Sequence, residues 1–124
     1  MNRVQMITVA ESYFRGLVRK DMSGVPWHEN MEFRGPLAPG YPEPLRGRAA
    51  VQSWLSGLYP VLGEVRVLDH YINNAMTEIV TSAHVSITDP ACILRVLDRF
   101  VVDESGLITQ QENYYDPRMA IPDR

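Results

Sequence analysis

Asp98 carries the clearest chemical signature in this chain. It lies in the run Ile93 to Val102, where Leu94, Val96, Asp98, Phe100 and Val102 recur at period two. One carboxyl among apolar neighbours on a strand face is costly unless it is hydrogen-bonded or stays protonated. A carboxyl kept neutral by burial can donate a hydrogen bond or a proton, which is the chemistry of a general acid. The opposite face of the run holds Ile93, Arg95, Leu97, Arg99 and Val101 and can reach solvent. Leu107 to Asp116 is unusually polar for a closing strand. Thr109, Gln111, Asn113 and Tyr115 share one face, and Gln110, Glu112 and Tyr114 share the other. Neither face is apolar, so one of them borders water or a wet cavity. His28, His70 and His84 fall on different elements without ligand spacing, which argues against a metal site.

Positioning these groups requires a core, and the 124-residue chain supports one domain. Its 45% apolar and 22% charged composition is that of an ordinary globular protein. A net charge of −3 without any basic run gives no reason to expect nucleic acid or an anionic membrane as partner. The single Cys92 excludes an internal disulfide, and no apolar block marks a signal peptide or a membrane span. A cytoplasmic setting is the resulting expectation.

The elements follow from periodicity. Residues 4–20 read as an amphipathic helix with Met6, Ile7, Val9, Ala10, Tyr13, Phe14, Leu17 and Val18 on one arc. A break over Asp21 to Pro26 precedes a strand over Trp27 to Arg34, with His28 at its start. A lone histidine there is more often a satisfied rim residue than a catalyst. Gly35 to Gly47 holds four prolines and Tyr41, which excludes a helix or a central strand and predicts an ordered loop. A second helix spans Arg48 to Tyr59, with Val51, Trp54, Leu55 and Leu58 at helical spacing and Pro60 ending it. Strands follow over Glu64 to Asn73, Met76 to Thr88, the Asp98 run, and Leu107 to Asp116. The last two are joined by a turn at Asp103-Glu104-Ser105-Gly106. On the Met76 to Thr88 strand, alternation sets Ile79, Ala83, Val85 and Ile87 on one face and turns Ser82 and His84 to the other, toward solvent. Residues after Pro117 are expected to be loose. Helices gathered at one end with strands following make an α+β domain, with a curved antiparallel sheet wrapped on the long first helix.

This order of motifs resembles the nuclear transport factor 2-like superfamily, which includes SnoaL-like polyketide cyclases, ketosteroid isomerases and limonene-epoxide hydrolases. The carriers are LVRKDMSGV at the end of the first helix, the strand-loop-helix MEFRGPL…LRGRAAV, and VLDRFVVDESGLITQQENYYDPR. The resemblance covers nearly the whole chain and implies a cone-like α+β barrel. The fold hosts isomerases, cyclases, lyases, hydrolases and non-enzymatic modules, so membership does not fix function. Ketosteroid isomerases use a first-helix Tyr and a protonated Asp as an oxyanion hole, with a second Asp as base. Tyr13 and Asp98 fall at the first two places. The base position falls near Arg34-Gly35, where there is no carboxylate. The charged triad of the epoxide hydrolases is also absent: its places hold Ser82, His84 and Asn113. That comparison turns Ser82, His84 and Asn113 to the cavity, and the cavity side is the reading adopted for them, against simple alternation.

The resemblance and the residues together imply a cofactor-independent isomerase, cyclase or lyase acting on a carbonyl-containing or polyketide-like small molecule. Asp98 and Tyr13 would be hydrogen-bond donors and His84 the base, with His28 as second candidate. Gln111, Asn113 and Tyr115 would orient substrate or a water. Phe33, Tyr41 and Trp54 would line the pocket, whose mouth the 35–47 loop frames. The rival expectation is a non-catalytic ligand-binding or dimerisation module whose pocket is filled by Trp54, Phe33 and their neighbours. A pocket below about 100 Å³ would favour it, since ligand sites run to roughly 300–1,000 Å³. Leu97 and Val101 on the outer sheet face, with the habit of the family, imply a homodimer.

Overall fold

The computed structural model describes residues 1–121. Helix α1 (Arg3–Arg19) opens with a capping box, Asn2 and Gln5 each bonding the other's backbone N–H. It ends at Lys20, which takes the left-handed conformation of a helix C-terminus. Its apolar arc presses Met6, Ala10, Tyr13, Phe14 and Leu17 onto the sheet, all of them buried. Tyr13 and Phe14 meet Phe100 edge-on, and Tyr13 also meets Trp27, with ring centroids 5.1–6.3 Å apart across the cluster.

Six strands form one sheet: β1 (Trp27–Arg34), β2 (Leu45–Arg46), β3 (Leu62–Ile72), β4 (Glu78–Thr88), β5 (Ala91–Val102) and β6 (Ile108–Tyr114). The order is β2-β1-β6-β5-β4-β3. The sheet is open, with β2 and β3 at its edges. Every pairing is antiparallel except β1 with β6, which run parallel. That pair joins the first strand to the last, a long-range contact that no local pattern announces. Helix α2 (Arg48–Ser56) and a single 3-10 turn over Tyr59–Val61 close one end of the concave face. The second helix is therefore shorter than periodicity implied, because the chain tightens into the 3-10 turn around Pro60. The 35–47 segment is a series of turns, and only its end forms β2 against Glu32 and Phe33. After β6, Pro117–Ala120 forms a 3-10 turn capped by the Asp116 side chain, so this part of the tail is ordered.

Two details of register decide what faces inward. The β5–β6 turn places Gly106 at φ 84°, and the Asp103 carboxylate accepts from the Ser105 and Leu107 N–H groups. That turn sets Asn113 directly opposite Asp98 and Gln111 opposite Phe100. On β3 the register slips between Val67 and Asp69. The extra residue reverses the alternation, so Val65 and Val67 face inward before it and His70 and Ile72 after it. Among the described residues, no helix is long and apolar enough to cross a membrane.

Candidate active site

Asp98 is 2% exposed, on the concave face of β5 beneath α1. Its Oδ1 accepts from Asn113 Nδ2 and from Gln111 Nε2, the latter at 3.4 Å. Gln111 is oriented from behind. Trp27 Nε1 can only donate, and it donates to Gln111 Oε1 at 2.9 Å. The Gln111 amide group must then turn toward the carboxyl. Burial pushes the Asp98 pKa up to about 8, although the hydrogen bond from Gln111 pulls the other way. At neutral pH the acid is therefore mostly protonated. With Oδ1 occupied by two N–H donors, the proton belongs on Oδ2.

Two phenols stand beside it. Burial and the Asp98 carboxyl both raise Tyr13 well above its ordinary value, while hydrogen bonds from Asn113 and Gln111 work against them. Burial likewise pushes Tyr115 up to about 12, with Asp98 adding to the effect and the Leu37 backbone N–H bonding its oxygen. Both hydroxyls stay protonated through the neutral range. Both side chains line the same chamber as Asp98. Three O–H groups thus gather at one end of an apolar chamber lined by Leu17, Leu58, Val85, Ile87, Leu94 and Val96. The opposite end opens beside Trp54, Leu58 and Ile87, which are only partly buried. Such donors are suited to stabilising negative charge that develops on an oxygen in a water-poor site.

The chamber is small, about 60 Å³. That is room for roughly two water molecules at their liquid volume. It lies below the roughly 300–1,000 Å³ of ligand sites, the outcome expected of the non-catalytic alternative. The indole of Trp54, packed on Phe33 with ring centroids 5.5 Å apart, and the side chain of Leu58 occupy the space beside it.

Of the residues singled out in the sequence, the structure brings Asp98, Tyr13, Gln111, Asn113 and Tyr115 together. Trp54 lines the chamber, and Phe33 backs Trp54 without lining it. The remaining three lie elsewhere. His84 is on the outer face of β4, beside Arg66 and Arg95 on the neighbouring strands. Its alternation, with Ala83 and Val85 pointing in, turns it and Ser82 away from Asp98, so the cavity-side placement of both is corrected. His28 sits at the start of β1 with Nδ1 accepting from the Asn30 N–H at 3.0 Å, outside the chamber. Tyr41 is exposed on the 35–47 loop. That loop reaches the site through Leu37 and Tyr115 instead. Gly35 packs closely nearby: a Cβ there would stand 3.0 Å from Asn113 Oδ1, so the amide would have to give by a few tenths of an ångström.

Sequence reasoning missed Trp27, Thr81 and His70. Thr81 is fully buried and lies opposite Asp98 on β4. His70 lies opposite Thr81 on β3, facing inward because of the bulge. No group of three or more His, Cys, Asp or Glu among the described residues is arranged to hold a metal.

An open, curved α+β sheet closed by a long helix, with polar groups gathered on its concave face, is the nuclear transport factor 2-like fold, and this chain has it. A steroid delta-isomerase from Pseudomonas aeruginosa is similar with TM-score 0.72 and 20% identity, over 91% of this chain and 80% of that one. A nuclear transport factor 2-like protein from Cytophaga hutchinsonii matches with TM-score 0.72 and 13% identity over 91% of each chain. The epoxide hydrolase/cyclase-like enzyme SalBIII, linked to pyran ring formation in the polyether salinomycin, matches with TM-score 0.77 and 13% identity over 95% of each chain. At these identities the likeness is one of fold. No family model and no curated protein sequence matches the chain.

Proposed function

We propose that the protein is a cofactor-independent general acid–base enzyme, an isomerase, cyclase or lyase, acting on a small and largely apolar carbonyl compound. The observation that carries this reading is the Asp98 carboxyl, buried at the polar end of the chamber with both amides on one oxygen. Substrate oxygen would accept from Asp98 Oδ2 and from the Tyr13 or Tyr115 hydroxyl. As charge develops on that oxygen, Asp98 gives up its proton. The resulting carboxylate can then take a proton from the α-carbon or from an attacking hydroxyl. One group would serve as acid and then as base, which its pKa near neutrality suits. His84 and His28 have no part in this mechanism, because neither faces the chamber. Acid–base catalysis of this kind contributes about 10²–10⁴-fold. Substrates larger than a few heavy atoms require the Trp54 and Leu58 side chains to swing aside.

Hydrogen–deuterium exchange at the α-carbon of butanone or cyclopentanone, followed by NMR in D₂O, tests the reading without knowledge of the natural substrate. Wild-type protein should accelerate exchange and Asp98→Asn should not. Equal rates for the two proteins would sink the proposal.

The small chamber favours a second reading, a non-catalytic module of the same fold in which Asp98 is simply a satisfied buried acid. No ketone would then be bound or exchanged, even by Trp54→Ala, in which the chamber is enlarged.

We also propose that a second copy of the chain covers the outer sheet face. Leu68, Tyr71, Ile93, Leu97 and Tyr114 are exposed there. The row Arg66–His84–Arg95 makes one end of that face basic, while Glu78 and Glu112 flank Arg99 toward the other. A two-fold axis running across the strands would bring unlike ends together.

A further inference from the structure

The concave face holds a second polar line that the proposed chemistry does not use. His70, Thr81, Asp98 and Asn113 form one row across β3, β4, β5 and β6, each directly opposite the next. The row continues onto α1. His70 Nε2 lies 3.2 Å from Glu11 Oε2, and His70 Nδ1 lies 2.8 Å from Thr81 Oγ1. Exposure falls steadily inward. The Glu11 side chain is 45% exposed and the His70 side chain 11%, while Thr81 is wholly buried. None of these three lines the substrate chamber, so they approach Asp98 from behind. The bulge at Val67–Asp69 is what turns His70 into this row, and bulges commonly re-aim a side chain beside a site.

Resting on the reading of Asp98 as an acid that turns over, we propose that Glu11, His70 and Thr81 form a proton route from solvent to the rear of Asp98. An ionised Glu11 carboxylate can only accept, so in neutral His70 the proton sits on Nε2 and Thr81 donates to Nδ1. In the imidazolium form Nδ1–H donates to Thr81 instead, and the hydroxyl hydrogen is released to turn toward Asp98. Side chains directly opposite on antiparallel strands have Cβ atoms about 4.5–5.5 Å apart, which one bridging water or a small rotation spans. The Thr81 hydroxyl passes its hydrogen to Asp98 Oδ2, the oxygen that neither amide occupies, while taking the Nδ1 hydrogen in exchange. The net transfer is one proton from imidazolium to carboxylate, and the ring recovers a proton from solvent past Glu11. Thr81 and His70 touch no substrate and are positioning residues. The titratable groups facing Asp98 are Tyr13 from α1 and Tyr115 beyond β6; the group facing His70 is Glu11.

The test needs no substrate. After a rapid drop in pH from 9.5 to 6.5, the infrared carbonyl stretch of protonated Asp98 reports its reprotonation, with Asp98→Asn identifying the band. Thr81→Val keeps the side-chain shape, and His70→Gln keeps polar contacts but cannot titrate. Both should slow reprotonation about tenfold or more while the band still titrates near its wild-type midpoint. Wild-type rates in both variants, with the band intact, overturn the route and leave the acid assignment standing. Absence of the band from wild-type protein at pH 6.5 overturns both. Should one variant fail to fold, the other decides.

Discussion

Asp98 costs the protein stability in proportion to the work its burial makes available. The unfolded chain releases this proton near pH 4 and the folded chain near pH 8. Between those values the folded state holds the extra proton, so stability falls as pH rises through that window. At about 1.4 kcal/mol per pKa unit the penalty is on the order of 5 kcal/mol by pH 8. Asp98→Asn should therefore flatten this part of the stability–pH curve and raise the melting temperature at pH 8. The measurement is urea or thermal unfolding of both proteins from pH 4 to 9. Unchanged pH dependence would mean that Asp98 is not the buried neutral acid. The amide pair adds a second test. Trp27→Phe leaves Gln111 Oε1 without its donor, which should cost about 1–3 kcal/mol. Freed to rotate, Gln111 should bond Asp98 less well, and the carboxyl midpoint should move further up in an NMR titration.

At the scale of elements, the elongated chamber wall depends on Trp54. Trp54→Ala should cost about 2–4 kcal/mol, less than a fully buried indole, and should admit larger cyclic ketones, detected as increased thermal stabilisation. The β3 bulge gives another prediction. Deleting Leu68 removes the unpaired residue yet keeps His70 opposite Thr81, so β3 should keep its pairings and the protein should stay folded. Backbone amide spectra with wild-type shifts across β4 would agree; collapse of the β3–β4 signals would not. The same elements explain what the sequence made legible. Period two and the DESG turn are local, so residue types alone singled out Asp98 on its apolar face and set Gln111 and Asn113 on one face of the closing strand, while the resemblance turned Asn113 to the cavity. The polarity of β6, odd for a closing strand, is accounted for by two amides spent on one carboxyl. His70 was hidden because a bulge reverses alternation without any marking residue: counted from Val65 and Val67, Asp69 should face in. His84 shows the opposite failure, since its own alternation was sound and analogy with other members of the fold displaced it. The chamber volume depends on where Trp54 and Leu58 pack, which periodicity does not encode.

At the scale of the whole molecule, the outer sheet face carries the prediction. If a second copy covers it, Ile93→Glu should convert a dimer to a monomer in light scattering without altering the fold, since Ile93 is 58% exposed. High salt should weaken the association if the basic and acidic ends meet across the axis. A wild-type monomer at high protein concentration would remove the proposed partner.

The pairing of β1 with β6 has a consequence for how the chain comes into being. A growing polypeptide has α1 and β1 long before the strand that must lie between β1 and β5 has been made. Until then Asp98 lacks both amides, and Trp27 has no acceptor for its indole hydrogen. The neutral acid is thus completed only when the final strand pairs with both β1 and β5. A purified chain truncated after Gly106 should be protease-sensitive throughout, whereas one extending to Ile121, past the end of β6, should be resistant.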